Sequence, residues 1–243
     1  MKKKIILFLV FIGVISTIIF LREKQSPVYM RFSLQEGNCN LYYGPTCIIF
    51  NVRGKQYHFL ADKNIQFIDL AVGDIDQDGN DNLLILEGEK GPFADKLVVY
   101  DLFFNSDGLQ IEKKYQNNMA AVKPWMIDIC DIDGDGELEI FVGVQKGTYH
   151  YPEIENRPFF FNYRNEMLVK KWTGSRVRAP FIDVCFVDLD RNGRDEFVVI
   201  EESEEGEYKV AVYYWFGFGF ILQAESQSYD WIQFAAAGSE DKE

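Results

Sequence analysis

An acidic nonamer occurs three times in this chain, and its copies are separated by a constant interval. The copies read DIDQDGNDN at residues 74–82, DIDGDGELE at residues 131–139 and DLDRNGRDE at residues 188–196. Their first aspartates lie 57 residues apart in both cases, from 74 to 131 and from 131 to 188. A repeat of this kind is typical of architectures in which each supersecondary unit buries its apolar face against the next. The chain is therefore expected to fold as an array of similar units.

Each nonamer has the composition of an oxygen-ligand cage for a hard cation. An acid or asparagine occupies positions 1, 3, 5 and 9, and a glycine occupies position 6. Calcium takes about six to eight oxygen ligands, and a glycine permits the sharp bend that turns alternate side chains inward. The pattern predicts about three calcium sites. The alternative is that the nonamers are acidic turns that hold no metal.

The nonamers begin like EF-hand loops, but an EF-hand needs a bidentate glutamate at position 12, between two helices. Position 12 is Ile85, Val142 or Val199 in the three copies. The residues after each nonamer form short, apolar, β-rich runs, which predict strands. These runs are residues 83–86, 140–144 and 197–200. The sequence thus argues against the EF-hand and favours loops that lead into β-strands.

A D-x-D-x-D/N-G-x-x-D/E loop that leads into a strand resembles the FG-GAP/VCBS repeats of integrin-α-type β-propellers. The resemblance covers about residues 28–238, and its specific part is the three nonamers with their flanks. The full FG-GAP signature is absent, so the chain resembles a divergent member of that family. The resemblance implies that each loop joins the first two strands of a propeller blade and binds calcium.

The same resemblance implies a ligand set for each loop, made of the side chains at positions 1, 3, 5 and 9 and the carbonyl at position 7. The first set is Asp74, Asp76, Asp78, Asn80 and Asn82; the second is Asp131, Asp133, Asp135, Glu137 and Glu139; the third is Asp188, Asp190, Asn192, Arg194 and Glu196. The first copy departs from the pattern at Asn82, where the neighbouring Asp81 is a candidate replacement. Such calcium sites are expected to fasten the turn between two strands.

A second element recurs before each nonamer and once more near the C-terminus. It is an isoleucine followed by an acid or amide, at residues 68–69, 127–128, 182–183 and 232–233. Three strand-like runs follow the first strand of each unit, which gives the four strands of a propeller blade. Residues 28–64 hold only three such runs, and the strand at Trp231 is expected to complete that blade. The expected fold is an all-β, four-bladed β-propeller over residues 25–243, with blades at 28–64 plus 229–238, 65–118, 123–174 and 179–226.

The acid or amide of this second element occupies equivalent positions on the four first strands. The four residues are Asp69, Asp128, Asp183 and Gln233. Because first strands line the axis of a propeller, these side chains are expected to surround its central channel. They either form an axial ion or ligand site or bond to neighbouring backbone and channel water, since buried carboxylates need partners.

The N-terminal 24 residues are expected to form a signal anchor. Residues 5–21 carry no charge, and basic residues precede and follow them. Seventeen such residues lie at the lower limit for crossing a bilayer, and no small-x-small cleavage site follows. The lysines before this transmembrane helix favour a single-pass protein with its C-terminal domain outside the cytoplasm. The alternative is cleavage of the segment and secretion.

The charge of the chain argues against a nucleic-acid partner. The formal net charge is −13, and the first 24 residues carry five basic and one acidic residue, so the remainder carries −17. Nucleic-acid binding requires a basic patch. Much of the acidity lies in the three nonamers, where cations are expected to offset the repulsion.

Four cysteines are present in a domain expected to lie in an oxidising compartment, where disulfides are allowed. Cys39 and Cys47 flank one short segment and are expected to pair. Cys130 and Cys185 end the first strands of consecutive units, where they either pair or remain buried thiols.

The loops between the second and third strands of each unit are the candidate partner-binding face, as the family resemblance implies. They are residues 36–46, 88–95, 145–158 and 202–207, and they carry the aromatic or imidazole side chains Tyr42, Tyr43, Phe93, Tyr149, His150 and Tyr151. Aromatic side chains on surface loops suit protein or glycan contacts, although they also serve to order a loop. The expected function is an extracytoplasmic interaction module.

Two alternatives to the interaction module remain. The first is a propeller enzyme that acts on a polysaccharide or cell-wall glycan, although no nucleophile, zinc or phosphate-binding motif is present. The chain has only two histidines, and no acid pair stands out from the calcium ligands. The second is an accessory subunit of a membrane complex.

Overall fold

Four four-stranded antiparallel sheets make up the described part of the chain. The computed structural model describes residues 28–34, 37–89, 91–174, 176–203 and 205–234. Within these ranges the chain is all-β, as the sequence predicts, and its only helical element is the single 3-10 turn Ala120–Val122. Four separate sheets of this kind are compatible with a small propeller-like arrangement.

Each sheet is built from four consecutive strands that follow one another in chain order. Sheet 1 contains β1 (Val28–Leu34), β2 (Gly37–Gly44), β3 (Cys47–Val52) and β4 (Lys55–Leu60). Sheet 2 contains β5 (Gln66–Gly73), β6 (Asn82–Gly88), β7 (Lys96–Asn105) and β8 (Gly108–Asn118). Sheet 3 contains β9 (Pro124–Cys130), β10 (Glu139–Lys146), β11 (Glu155–Arg164) and β12 (Met167–Trp172). Sheet 4 contains β13 (Phe181–Val187), β14 (Glu196–Glu202), β15 (Tyr208–Trp215) and β16 (Phe220–Glu225).

The second strand of sheet 2 is apolar over residues 83–86 because both of its faces are covered there. Leu83 and Ile85 pack against sheet 1, whereas Leu84 and Leu86 pack against sheet 3. Successive side chains of a strand point to opposite faces, so a strand between two neighbours needs apolar residues at every position. This is why the run after the first nonamer shows no polar alternation.

Aromatic side chains dominate the interface between sheets 3 and 4. Phe141, Phe160, Phe181 and Phe197 are fully buried there, and Phe197 stacks on Phe186 with ring centroids 5.3 Å apart. Large rings fill the space between two sheets while contributing substantial apolar area. The three core clusters of the described residues each join consecutive sheets, 1 with 2, 2 with 3 and 3 with 4.

Sheet 1 differs from the sequence prediction, because it is complete within residues 28–60. Its second strand, Gly37–Gly44, was not expected, since its sequence GNCNLYYG has polar residues and two glycines. The expected completion of this sheet by the Trp231 segment is wrong for the described residues. Instead, Tyr229 forms a two-way backbone bridge with Tyr208 of sheet 4, and the N–H of Phe234 donates to the Asp183 carboxylate.

The expected disulfide between Cys39 and Cys47 is also wrong. Cys47 of β3 lies opposite Gly44 of β2, so Cys39 is five residues further along the strand. At about 3.3 Å per residue this separates the two sites by roughly 16 Å, far beyond the reach of a disulfide. Cys130 and Cys185 are free thiols, and burial raises the pKa of each.

No helix in the described ranges is long and apolar enough to cross a membrane. The expected anchor at residues 1–24 lies outside those ranges. The membrane attachment of this chain therefore stays a prediction from its sequence.

Candidate metal centres

Each acidic nonamer forms the turn between the first and second strands of its sheet. The three turns connect β5 to β6, β9 to β10 and β13 to β14. Strands flank all three turns, so the helix–loop–helix context of an EF-hand is absent from these sites. The equal spacing in sequence therefore places the nonamers at equivalent positions in three consecutive sheets.

The aspartate at position 1 organises the backbone of each turn. Asp74 accepts hydrogen bonds from the N–H groups of Asp78 (3.0 Å) and Gly79 (2.9 Å), through different carboxylate oxygens. Asp188 does the same with Asn192 and Gly193, at 2.9 Å each. In the second loop the donors to Asp131 are Gly134 (2.7 Å) and Gly136 (3.0 Å). A short acceptor that bonds to nearby amides is the usual reason for aspartate at the start of a turn.

Two positions of every nonamer have left-handed backbone. The glycines at position 6 have φ values of 90°, 81° and 84° in Gly79, Gly136 and Gly193. Position 4 also has positive φ, at 61° in Gln77, 73° in Gly134 and 60° in Arg191. The sequence indicated the glycine at position 6 but gave no signal at position 4, where only one copy has glycine. Two left-handed residues per turn bend the chain back toward its own aspartate.

The residue at position 9 is the inward-facing member of each nonamer. Asn82, Glu139 and Glu196 are 2%, 0% and 3% exposed. Each accepts a hydrogen bond from the N–H at position 2, at 3.0 Å from Ile75, 3.1 Å from Ile132 and 2.8 Å from Leu189. This bond closes the turn and brings the ninth side chain next to the acids at positions 1 and 3.

The turns bring three acids together in each of sheets 2, 3 and 4, with one ligand oxygen from each acid lying within 4.8 Å of the others. The groups are Asp74, Asp76 and Asp78; Asp131, Asp133 and Glu139; and Asp188, Asp190 and Glu196. Oxygen ligands at this separation suit a hard cation such as calcium. The fit is supported at the second group by Asp133, whose Oδ1 atom is buried and has no hydrogen-bond partner among the described residues.

The predicted ligand residues at positions 5 and 7 have local partners. The side chain at position 5 accepts from the N–H at position 7, at 2.8 Å in all three turns. The residues are Asp78 with Asn80, Asp135 with Glu137, and Asn192 with Arg194. Asp135 lies outside the second acid group, and Glu137 forms an ion pair with Arg164 at 2.5 Å.

Like charges crowd the first group. Burial raises the pKa of Asp76, and the neighbouring Asp78 carboxylate raises it further. Two carboxylates that share a site disfavour each other's ionised form, and a bound cation reverses that effect. The first group is therefore expected to be most stable when a cation lies between its acids.

A lysine contacts the second group. The Lys171 ammonium lies 2.5 Å from Asp133 Oδ2 and 2.6 Å from Glu139 Oε1. Asn162 donates a further 2.8 Å hydrogen bond to Glu139. This lysine was not predictable from the spacing of the motif, because it lies on the fourth strand of the sheet, 32 residues after Glu139.

Asp81, the candidate replacement for Asn82, lies outside the first acid group and bonds to the preceding sheet. Its Oδ2 accepts from Ser33 N at 2.5 Å, and its own N–H donates to the Ser33 carbonyl at 2.8 Å. Asp195 makes the same reciprocal pair with the backbone of Asp131. The acid at position 8 therefore joins a turn to the preceding sheet, and it is not a member of the acid groups.

The axial acids include one residue that joins three sheets. Asp69 on β5 accepts from Tyr43 Oη of sheet 1 at 2.9 Å and from Ile127 N of sheet 3 at 2.9 Å. It also accepts from Leu70 N at 2.9 Å. These bonds favour the interpretation that Asp69 is bonded to neighbouring groups over the interpretation that it forms an axial ion or ligand site. Its partners are two backbone N–H groups and the Tyr43 hydroxyl.

Asp69 is expected to make the stability of the protein fall as pH rises. Burial raises the pKa of Asp69 from 3.8 to about 6, against the opposing effect of its hydrogen bonds. Since the folded state holds this proton more tightly than the unfolded state, Asp69 favours folding below pH 4 and loses that contribution between about pH 4 and 6. The loss is expected to reach up to about 3 kcal/mol.

The measurement is the melting temperature of the wild type minus that of Asp69→Asn, recorded from pH 4 to 7. We expect this difference to decrease as pH rises, because asparagine does not titrate. A difference that is constant with pH would show that Asp69 titrates normally in the folded protein.

The candidate partner-binding residues separate into two sets. Tyr42 and Tyr43 lie within strand β2, and Tyr43 points inward to Asp69, so the expected loop at residues 36–46 is wrong. Phe93 is half-buried beneath the Lys123 ammonium, which lies 5.6 Å from the ring centroid. The second set, in the loop between β10 and β11, is more exposed.

Tyr149, His150 and Tyr151 line an open cleft of ≈ 860 Å³ between that loop and sheet 4. Tyr149 is 95% exposed, and the Arg176 guanidinium lies over the Tyr151 ring at 4.6 Å. Arg178 lines the same cleft and is ion-paired with Glu201 and Glu225. The cleft thus combines aromatic surfaces with arginine donors in a strongly acidic chain.

A buried arginine holds the loop in place. Arg157 is fully buried, and its guanidinium donates to the carbonyls of Lys146 (2.7 Å), Tyr151 (3.1 Å) and Glu153 (3.3 Å). A Cβ atom at position 147 would lie 2.4 Å from the carbonyl oxygen of Pro152, so only glycine fits there. The loop that carries Tyr149 is therefore held in place by the buried Arg157 side chain.

Comparison with known proteins gives no assignment, since no family model and no curated protein matches the chain. The turns and the cleft therefore have to be interpreted from their own geometry.

Proposed function

We propose that this chain is a divergent, FG-GAP-like, four-bladed β-propeller that binds calcium and serves as an interaction module outside the cytoplasm. The observation that carries the proposal is the recurrence of three acids, within 4.8 Å of one another, at the same turn of three consecutive sheets. Repeated sheets of four strands, with the same turn occupied in each, are what a propeller with metal-bearing blades requires.

Calcium at these turns supplies positive charge that offsets the repulsion between neighbouring carboxylates. The residues that would hold it are the acids at positions 1 and 3 with position 5 or 9 in each turn. Because the position 1 and position 9 side chains also bond the turn backbone, a bound cation is expected to rigidify the link between first and second strands. The metal is thus assigned a structural role.

The binding surface is assigned to the cleft beside Tyr149. In antiparallel sheets the turns between the first and second strands and those between the second and third lie at opposite ends. The loop that carries Tyr149 is therefore at the end away from the acid groups, and the cleft that it lines with Arg176 extends from there to sheet 4. Exposed tyrosines with arginine are favoured at protein contact sites and also stack on sugar rings.

The membrane anchor is part of the same proposal. Residues 5–21 are uncharged and follow three lysines, which favours retention at the cell membrane with the propeller outside the cytoplasm. An anchored module of this kind would display its cleft to partners in the extracytoplasmic space, either proteins or glycans.

The test of the cleft is a glycan-binding screen with the full chain in mild detergent, followed by pull-down from native membranes if no glycan binds. Tyr149→Ala is expected to weaken the binding that is found by at least about tenfold, since exposed aromatic anchors carry much of an interface's energy. Phe218→Ala is the matched control, because Phe218 is 81% exposed in the turn between β15 and β16 and does not line the cleft.

The outcomes separate the candidate functions. Binding lost in both variants, or in neither, would remove the cleft from the proposal. Cleavage of a bound glycan would replace the interaction module with an enzyme, whereas stable co-purification with a membrane complex would favour an accessory subunit.

A further inference from the structure

The fourth strands of sheets 2, 3 and 4 each contain a β-bulge at the same level. In each case two consecutive residues of the third strand pair with residues that are separated by one extra residue on the fourth strand. The extra residues are Lys114, Lys171 and Gln223. A bulge re-aims one side chain of a strand, and here it directs the three side chains toward the acidic turns.

These three equivalent residues meet their turns differently. The Lys171 ammonium contacts Asp133 and Glu139 directly, at 2.5 and 2.6 Å. Lys114 contacts Asp101 at 3.2 Å, and Asp101 in turn accepts from the Asn82 amide at 3.0 Å. This lysine is therefore connected to its turn only through Asp101. Gln223 is neutral and lines a small cavity of ≈ 160 Å³ together with Asp190 and Glu196.

We propose that the bulge residue sets the calcium affinity of its turn, and that Lys171 is a resident counter-cation with which calcium competes at the second turn. The inference rests on the proposed calcium function. At the third turn Gln223 brings no such charge to Asp190 and Glu196. The three turns, alike in sequence pattern, are thereby made unequal by one residue from a distant strand.

Electrostatics supports this role for Lys171. The ammonium occupies one oxygen each of Asp133 and Glu139, which are two of the three acids in the second group. Calcium either displaces the ammonium or binds against its repulsion. For a divalent ion about 4 Å from a unit positive charge, this repulsion corresponds to more than about tenfold in affinity even in bulk water. The buried, unbonded Oδ1 of Asp133 remains for the metal, so the lysine weakens the site without closing it.

The first test isolates the second turn in the full chain, purified in mild detergent. Asp76→Asn and Asp190→Asn remove one acid from the first and third groups without touching the position 1 side chains that hold the turn backbone. Calcium is then titrated calorimetrically into this parent and into the parent with Lys171→Met. We expect calcium to bind at least about tenfold more tightly after the substitution.

Lys170→Met is the matched control, since Lys170 is the exposed neighbour on the same strand and loses the same charge. We expect its calcium affinity to stay within about twofold of the parent, because its charge is screened by solvent. Equal effects of the two lysine substitutions would overturn the inference, because general charge would then account for the result.

The second test adds an ammonium at the third turn. It therefore does not deprive the buried Glu139 of its partner Lys171, as the first test does. Gln223→Lys is introduced into a chain whose first and second groups are disabled by Asp76→Asn and Asp133→Asn. The new ammonium beside Asp190 and Glu196 is expected to weaken calcium binding at the third turn by at least about tenfold. Unchanged affinity here, or unchanged affinity with Lys171→Met, contradicts the proposal.

The failure of this inference is distinguishable from failure of the calcium function. If the wild-type chain binds calcium and the bulge variants do not alter the affinity of their turns, only the role of the bulge residues is overturned. If the wild type gives no binding heat at millimolar calcium, the proposed function and this inference are both overturned.

Discussion

Removal of calcium is expected to lower the free energy of unfolding of the full chain by at least about 4 kcal/mol. The figure applies at free calcium about ten times the dissociation constant of the weakest of the three sites, where each site contributes at least roughly 1.4 kcal/mol. For a domain of this size, that loss lowers the melting temperature by about 8–16 °C. Its physical cause is the group of acids within 4.8 Å at each turn, which repel one another once the cation has gone.

Thermal unfolding before and after chelation measures this effect, with the stoichiometry taken from calorimetric titration. Asp190→Asn is expected to remove about one site and about a third of the shift. Asp107→Asn is its control, because Asp107 is an exposed acid in the turn between β7 and β8, outside the three groups. An unchanged melting temperature with no binding heat would mean that the nonamers are metal-free turns, whatever the arrangement of the sheets.

Phe197→Ala is expected to lower the free energy of unfolding by about 3–5 kcal/mol, the usual cost of deleting a large buried ring. Phe197 is 0% exposed on the second strand of sheet 4. It stacks on Phe186 at 5.3 Å and meets Phe160 edge-on at 5.7 Å. Loss of the ring therefore opens a cavity in the interface between sheets 3 and 4, where neighbouring strands limit collapse.

Urea unfolding of the calcium-loaded protein measures this change. Phe218→Ala deletes the same ring at a position that is 81% exposed, and it is expected to cost less than about 0.5 kcal/mol. Comparable costs for the two substitutions would contradict the described packing of sheet 4 against sheet 3.

The sequence predicted the acidic turns because their chemistry is local. Aspartate at position 1 and glycine at position 6 bond within one turn, as Asp188 and Gly193 do, so their spacing specifies that part of the turn backbone. The apolar runs after each nonamer likewise identified the second strands. The missed strand β2 has no such pattern, since its sequence mixes polar residues, tyrosines and terminal glycines.

Contacts between sheets were not predictable from spacing. The hydrogen bond from Ile127 to Asp69 joins residues 58 positions apart, and the ion pair of Lys171 with Asp133 joins residues 38 positions apart. Both depend on register, and the Lys171 contact depends on a bulge that shifts one side chain out of alternation. A pattern read along the chain does not contain that information.

The self-contained first sheet has a consequence for how the chain acquires its structure. All four of its strands lie within residues 28–60, and every other sheet is likewise formed by consecutive strands. Pairings between near neighbours close small loops and so cost little chain entropy, which favours rapid formation. Sheet 1 does not need to wait for the C-terminus, so the domain can assemble sheet by sheet from its N-terminal end as the chain emerges during synthesis. Each new sheet would then pack against the exposed apolar face of the preceding sheet.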